Sequence, residues 1–285
     1  MTKQPRVLTA QAFACLGKSS GSTALPVLTA MGLECGLLPT ALLSTHTGFP
    51  EATFLPLTQQ MTEIIAHWRK QDLRFDGMYL GYLAAPIQAA LVGEVVEKLA
   101  NPHCVVVVDP VMGDNGNPYR GFDERRIAAT RSLCRRATVL VPNLTEAALL
   151  LERDYDPNPD AAALEALLDG LLALGPDTVI LTGIPGPDDT LGIAGKGKDG
   201  PVFTYFHEKA ARGYFGTGDI FASVLTGSLV RGETAEAAAK KAADFALQCI
   251  KTTLAAPDGR WYGTCYEKEL WRLGCPDSSN KEDTL

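Results

Sequence analysis

Cys104-Val105-Val106-Val107-Val108-Asp109-Pro110-Val111-Met112-Gly113-Asp114 is the stretch that decides the fold. Its four consecutive valines are β-branched and offer apolar surface on both faces of an extended chain. A strand of that composition is buried on both sides, as in a parallel sheet covered by helices. The run ends at a carboxylate, and Pro110 follows at once.

Outward from this strand, short apolar runs alternate with helical patterns. Strands are expected at Val7–Thr9, Glu34–Leu42, Gly77–Leu80, Cys104–Asp109, Thr138–Val141, Thr178–Thr182, Leu191–Ala194 and Val202–Phe206. Helices are expected at Ser22–Met31, Pro56–Lys70, Pro86–Leu99, Asp123–Cys134, Thr145–Leu151, Ala161–Leu174, Gly218–Val230 and Thr234–Lys251. Such alternation predicts an α/β fold with a mostly parallel central sheet. No internal repeat is visible, and Gly183–Asp189 is a Pro/Gly turn cluster inside one domain. A single domain is therefore expected over residues 1–275, followed by a disordered polar tail at 276–285.

The chain has 285 residues, 46% of them hydrophobic, and a formal charge of −7. It lacks the basic stripe of a nucleic-acid surface, and no apolar run reaches the ~20 residues that span a bilayer. An anionic ligand must be met by local dipoles, a metal ion or a few basic residues. Seven cysteines, none in CxxC spacing, suit reduced thiols in a cytoplasmic protein.

In α/β folds of this kind ligands sit at the carboxyl ends of the strands. Polar residues follow successive expected strands there: Asp109, then Asn143-Leu144-Thr145-Glu146, then Thr182-Gly183. Asp109, Asn143 and Glu146 could serve Mg²⁺, which takes one or two carboxylates together with phosphates and water. Equally, Asn143 or Thr145 could cap a helix with Glu146 in its first turn.

A last turn, Gly216-Thr217-Gly218-Asp219, opens a run with helical apolar spacing at Ile220, Phe221, Val224, Leu225 and Leu229. Glycines let backbone approach a ligand, and a helix N-terminus offers unpaired N–H groups to a phosphate. A carboxylate beside such a site would repel a phosphate, but it makes sense as a base for a substrate hydroxyl. The alternative is an aspartate N-cap after a glycine loop.

Three blocks, Asp109-Pro110-Val111-Met112-Gly113-Asp114-Asn115-Gly116, Pro142-Asn143-Leu144-Thr145-Glu146-Ala147 and Gly216-Thr217-Gly218-Asp219, resemble in order and spacing the motifs of the pyridoxal kinases. That family is ribokinase-like, so the resemblance implies a three-layer α/β/α sandwich. It implies ATP-dependent phosphorylation of the 5′-hydroxymethyl group of a vitamin B6 vitamer, with Asp219 as base and Gly216, Thr217 and Gly218 as anion hole. By the same resemblance, Asp109 and Glu146 act around Mg²⁺ and the ATP phosphates, with Asn143 and Thr182 close by. Gln11, Ala12, Thr47 and Tyr82 line the acceptor site, and Met112–Tyr119 forms a flexible cover over ATP. A homodimer is implied as well. Some members use a monovalent cation, which no residue here settles.

One departure stands out. Pyridoxal kinases often carry a serine or aspartate after the glutamine, where this chain has Ala12, which cannot hydrogen-bond a ring. A hydroxymethylpyrimidine kinase of thiamin biosynthesis is the nearest alternative, with a pyrimidine alcohol as acceptor. Those enzymes often have cysteine at the position of Asp219. A non-catalytic binder of vitamer or nucleotide is the other, but it would have no need of a base.

Overall fold

The computed structural model describes residues 3–274. The expected tail at 276–285 lies outside the described residues.

The strands are β1 (Arg6–Leu16), β2 (Glu34–Thr45), β3 (Phe54–Pro56), β4 (Phe75–Leu80), β5 (Ala100–Val108), β6 (Gly113–Asp114), β7 (Asn117–Pro118), β8 (Val139–Leu140), β9 (Thr178–Pro185), β10 (Thr190–Gly197) and β11 (Phe203–Glu208). Nine of them form one sheet in the order β11-β10-β9-β8-β5-β4-β1-β2-β3. Pairing is parallel from β2 through β9. It is antiparallel only at the edges, where β10, β11 and β3 join.

The helices are α1 (Gly21–Ala30), α2 (Thr58–Lys70), α3 (Ile87–Leu99), α4 (Glu124–Cys134), α5 (Leu144–Leu151), α6 (Ala161–Leu172), α7 (Thr217–Val230) and α8 (Ala235–Ala255). Alternation along the strands assigns them to two layers. Leu8, Met78, Leu80, Val106, Val108, Leu140, Val179 and Leu181 pack with residues of α2 to α6. Val7, Tyr79, Val107, Val139 and Ile180 pack with α1, α7 and α8. The valine run thus serves both layers, as its composition requires, and the fold is a ribokinase-like α/β/α sandwich. Gly77 of β4 lets α7 come close, since a β-carbon there would overlap the Val230 side chain.

Three local differences from expectation have physical causes. β1 and β2 run well past the expected ends because Phe13, Ala14 and Leu16 pair with Leu42, Leu43 and Thr45 after a register shift, beyond the last pairing of β1 with β4. Pro56 ends β3 rather than starting a helix, and α2 begins at Thr58. Met112–Tyr119 contains the two-stranded hairpin of β6 and β7.

Candidate active site

Parallel neighbours bring the expected residues together. Asp109 follows β5, Asn143 follows β8, and Thr182 lies on β9. An isolated parallel bridge joins Asn143 to Thr182, whose N–H donates to the Pro142 carbonyl at 3.0 Å. Asp219 arrives from the other layer, in the first turn of α7.

Asn143 and Glu146 cap α5 reciprocally. The Glu146 N–H donates to Asn143 Oδ1 and the Asn143 N–H to Glu146 Oε2, both at 2.9 Å. Glu146 Oε1 accepts from Met112 N–H at 2.9 Å, so both carboxylate oxygens are engaged by backbone. The capping reading therefore holds for this pair. The same contacts fasten the hairpin. Asn143 Nδ2 donates to the Gly113 carbonyl, and Gly116 N–H donates to Thr145 Oγ1, each at 2.9 Å. Glu146 is buried, and burial pushes its carboxyl up to about 7 against the pull of these N–H donors.

A fully buried tyrosine joins the other two carboxylates. Tyr79 Oη lies 3.2 Å from Asp109 Oδ2 and 3.3 Å from Asp219 Oδ1. Burial raises the Asp109 carboxyl well above the usual carboxylate range, and the charges of Glu146 and Asp219 add to this. Burial likewise raises Asp219 to about 6, opposed by the Ser20 backbone N–H and the Tyr79 hydroxyl. Backbone N–H groups of strained residues meet both carboxylates. Ser20, with φ 51° and ψ −136°, serves Asp219, and Val111, with φ 23°, serves Asp109. Positive φ is a genuine outlier for a β-branched residue such as Val111.

Gly216 is the N-cap of α7, with φ 80°. A β-carbon there would overlap the Lys18 carbonyl oxygen, whereas one at Gly218 would meet nothing within 4 Å. The backbone at Gly218 is open to a ligand, and the helix directs its positive end there. Thr217 Oγ1 donates to the Tyr214 carbonyl at 3.1 Å. Lys18 is no free cation: its Nζ reaches the Thr264 carbonyl and Glu267 Oε2, both at 2.7 Å.

The expected acceptor residues divide. Ala12 clusters with Ala41 and Leu43, and Tyr82 packs against them. The Tyr82 hydroxyl receives Arg126 Nη2 at 3.3 Å, and the same guanidinium lies over the Phe122 ring. Gln11 is fully buried under Gly81 and donates from Nε2 to Thr9 Oγ1 at 3.0 Å. Its Oε1 finds no hydrogen-bond partner among the described residues. Thr47 is exposed in the turn after β2. Its neighbour His46 is structural. Gly48 N–H donates to Nδ1 at 3.0 Å, so Nε2 carries the proton and donates to the Tyr262 carbonyl at 2.8 Å. Burial lowers its pKa, in keeping with a neutral ring.

Sequence reasoning missed Tyr79, Thr145 as a hairpin anchor, and the Lys18 clamp. The signal for Tyr79 was present: a tyrosine on a central strand needs a partner for its hydroxyl. The donor set also fits Mg²⁺. Two carboxylates, half-buried Asp109 and buried Glu146, face one another's charge, and this ion takes only one or two carboxylates beside phosphates. No cluster of three or more His, Cys, Asp or Glu side chains suited to a metal occurs among the described residues. No helix among them is long and apolar enough to cross a membrane.

Residues 25–263 match the phosphomethylpyrimidine kinase family. The pyridoxine/pyridoxal/pyridoxamine kinase of Bordetella avium (strain 197N) is 28% identical over 260 residues, covering 87% of this chain and 85% of its own. A Bacteroides thetaiotaomicron protein, provisionally named a phosphomethylpyrimidine kinase and crystallised with pyridoxal, is 34% identical. It superposes with a TM-score of 0.90 over 95% of this chain and 96% of that one. The pyridoxal kinase of Lactobacillus plantarum is 32% identical, with a TM-score of 0.87 over 95% and 97%.

Proposed function

The chain belongs to the phosphomethylpyrimidine kinase family and, within it, to the pyridoxal kinases, which makes it a phosphotransferase; from that premise we propose that it transfers the γ-phosphoryl group of ATP to the 5′-hydroxymethyl group of a B6 vitamer, with Asp219 as base. The observation that carries this reading is the place of Asp219: in the first turn of α7, beside the open backbone of Gly218, with its carboxyl raised to about 6. A base with a pKa near the working pH is both ionised and basic enough to take a proton.

In this reading the acceptor hydroxyl gives its proton to the Asp219 carboxylate. Its oxygen forms a bond to the γ-phosphorus as the bond to the bridging oxygen breaks, and ADP leaves with that electron pair. The N–H groups of Gly216, Thr217 and Gly218 receive the charge on the transferring group, aided by the positive end of α7. Asp109 and Glu146 would hold Mg²⁺, with Glu146 acting through water because backbone N–H groups already engage both its oxygens. When bound, that ion neutralises phosphate charge. Thr182 and Asn143 border the nucleotide phosphates. The cluster of Ala12, Leu43 and Tyr82 offers an apolar wall to the acceptor ring, with Gln11 behind it and Thr47 at the rim.

The pyridoxal bound to the Bacteroides relative supports a pyridine alcohol as acceptor. A pyrimidine alcohol is the second reading, favoured by the name of the matching family. A homodimer through the β3 edge accords with exposed Phe54 and Leu55, and six unpaired cysteines among the described residues accord with a cytoplasmic location. The test is ADP release with Mg-ATP on pyridoxal, pyridoxine, pyridoxamine and hydroxymethylpyrimidine in parallel. Turnover on a B6 vitamer is expected; turnover on the pyrimidine alone would move the protein to the second reading.

A further inference from the structure

Tyr79 is the polar side chain that joins the two halves of the site. It stands on β4, and its ring packs in the apolar layer that also holds Ile220 and Val224 of α7. Its hydroxyl emerges at the strand's carboxyl end between Asp109 and Asp219, at 3.2 and 3.3 Å. A phenol has one proton to donate, so it bonds one carboxylate at a time. Two carboxylates meeting at one hydroxyl would otherwise repel each other. Among the described residues, the Tyr79 hydroxyl and the Ser20 N–H are the groups that hydrogen-bond the Asp219 carboxylate.

We propose that Tyr79 is a positioning residue for phosphoryl transfer, its hydroxyl proton holding the Asp219 carboxylate in the orientation that accepts the substrate proton. The inference rests on the reading of Asp219 as the base. The ring itself is anchored by packing, so the hydroxyl cannot swing away from the carboxylates. A phenol carries its proton at neutral pH and so is a donor to either carboxylate. Each carboxylate keeps one backbone N–H without it, Val111 for Asp109 and Ser20 for Asp219; in the proposed reaction only Asp219 has to take the substrate proton, so the effect on turnover falls there.

The experiment compares wild type, Tyr79→Phe, Asp219→Asn and the double variant, with Mg-ATP and pyridoxal, alongside thermal melts. Phenylalanine keeps the ring and its packing. Tyr79→Phe is expected to lower kcat about 10- to 100-fold, as for loss of a hydrogen bond to a charged group, with KM for either substrate nearly unchanged. In the Asp219→Asn background the same substitution is expected to lower kcat little further, because a residue acting through Asp219 has nothing left to position. An unchanged kcat in Tyr79→Phe overturns the proposal, as does an equal loss in both backgrounds or a lowered melting temperature with normal kcat. Absence of wild-type turnover would instead overturn the underlying kinase reading, and the proposal with it.

Discussion

The α-carbon of Gly216 lies against the carbonyl oxygen of Lys18, so closely that a β-carbon would overlap it. Gly216 also has φ 80°, which side chains rarely adopt. Both facts disfavour any other residue at the head of the Gly216–Asp219 turn. Gly216→Ala is expected to destabilise the fold by about 1–3 kcal/mol and to lower kcat by more than the folded fraction explains. Thermal melts and initial rates on one sample check it. Wild-type kcat in a fully folded variant would refute the turn's role.

Asp219→Asn is expected to lose about 10²–10⁴ in kcat while calorimetry still detects ATP binding. The pH dependence has a definite sign. With its carboxyl raised to about 6, Asp219 is protonated and useless as a base at lower pH. The acidic limb of kcat should therefore rise through about 6 and flatten above it. A kcat that stays level down to pH 4.5 would remove Asp219 from the proton transfer.

Buried carboxylates also set how the free protein responds to pH. Glu146 is raised from 4.5 to about 7, and Asp109 is raised as well. A raised carboxyl binds its proton more tightly in the folded chain than in the unfolded one. The stability this contributes is full below the unfolded value and is lost as pH rises through the folded value. From this source the metal-free protein should melt higher at pH 5 than at pH 8. Added Mg²⁺ should raise the melting temperature more at pH 8, where the carboxylates are charged. An equal rise at both values would argue against Asp109 and Glu146 as its holders.

Much of this architecture was legible because it is local. Val105–Val108 announced a doubly buried strand, and the polar residues after it fell at a sheet end, where α/β folds place ligands. Asn143 and Glu146, three residues apart before an apolar run, carried the spacing of a capping box. What stayed hidden depends on distant pairings. The long β1 arises from Phe13–Leu16 finding Leu42–Thr45, and nothing within either segment specifies that register. The clamp on Lys18 is hidden from the sequence because its partners lie 246 and 249 residues away. The ring of Tyr79 is core, and only three dimensions show two carboxylates at its hydroxyl.

The grip of Lys18 on Thr264 and Glu267 imposes an order in time. A ribosome delivers Asp109, Glu146 and Asp219 before Thr264 and Glu267, which clamp the Lys18 side of the Gly216–Asp219 turn. Such a nascent chain can lay down its central strands and even bring its carboxylates together, yet its turn has no clamp until Thr264 and Glu267 have been made. Competence is thus a property of a chain that extends through Glu267. A truncation ending at Ala255 should keep the sheet by circular dichroism and lose turnover, and an active truncation would show that the clamp is dispensable.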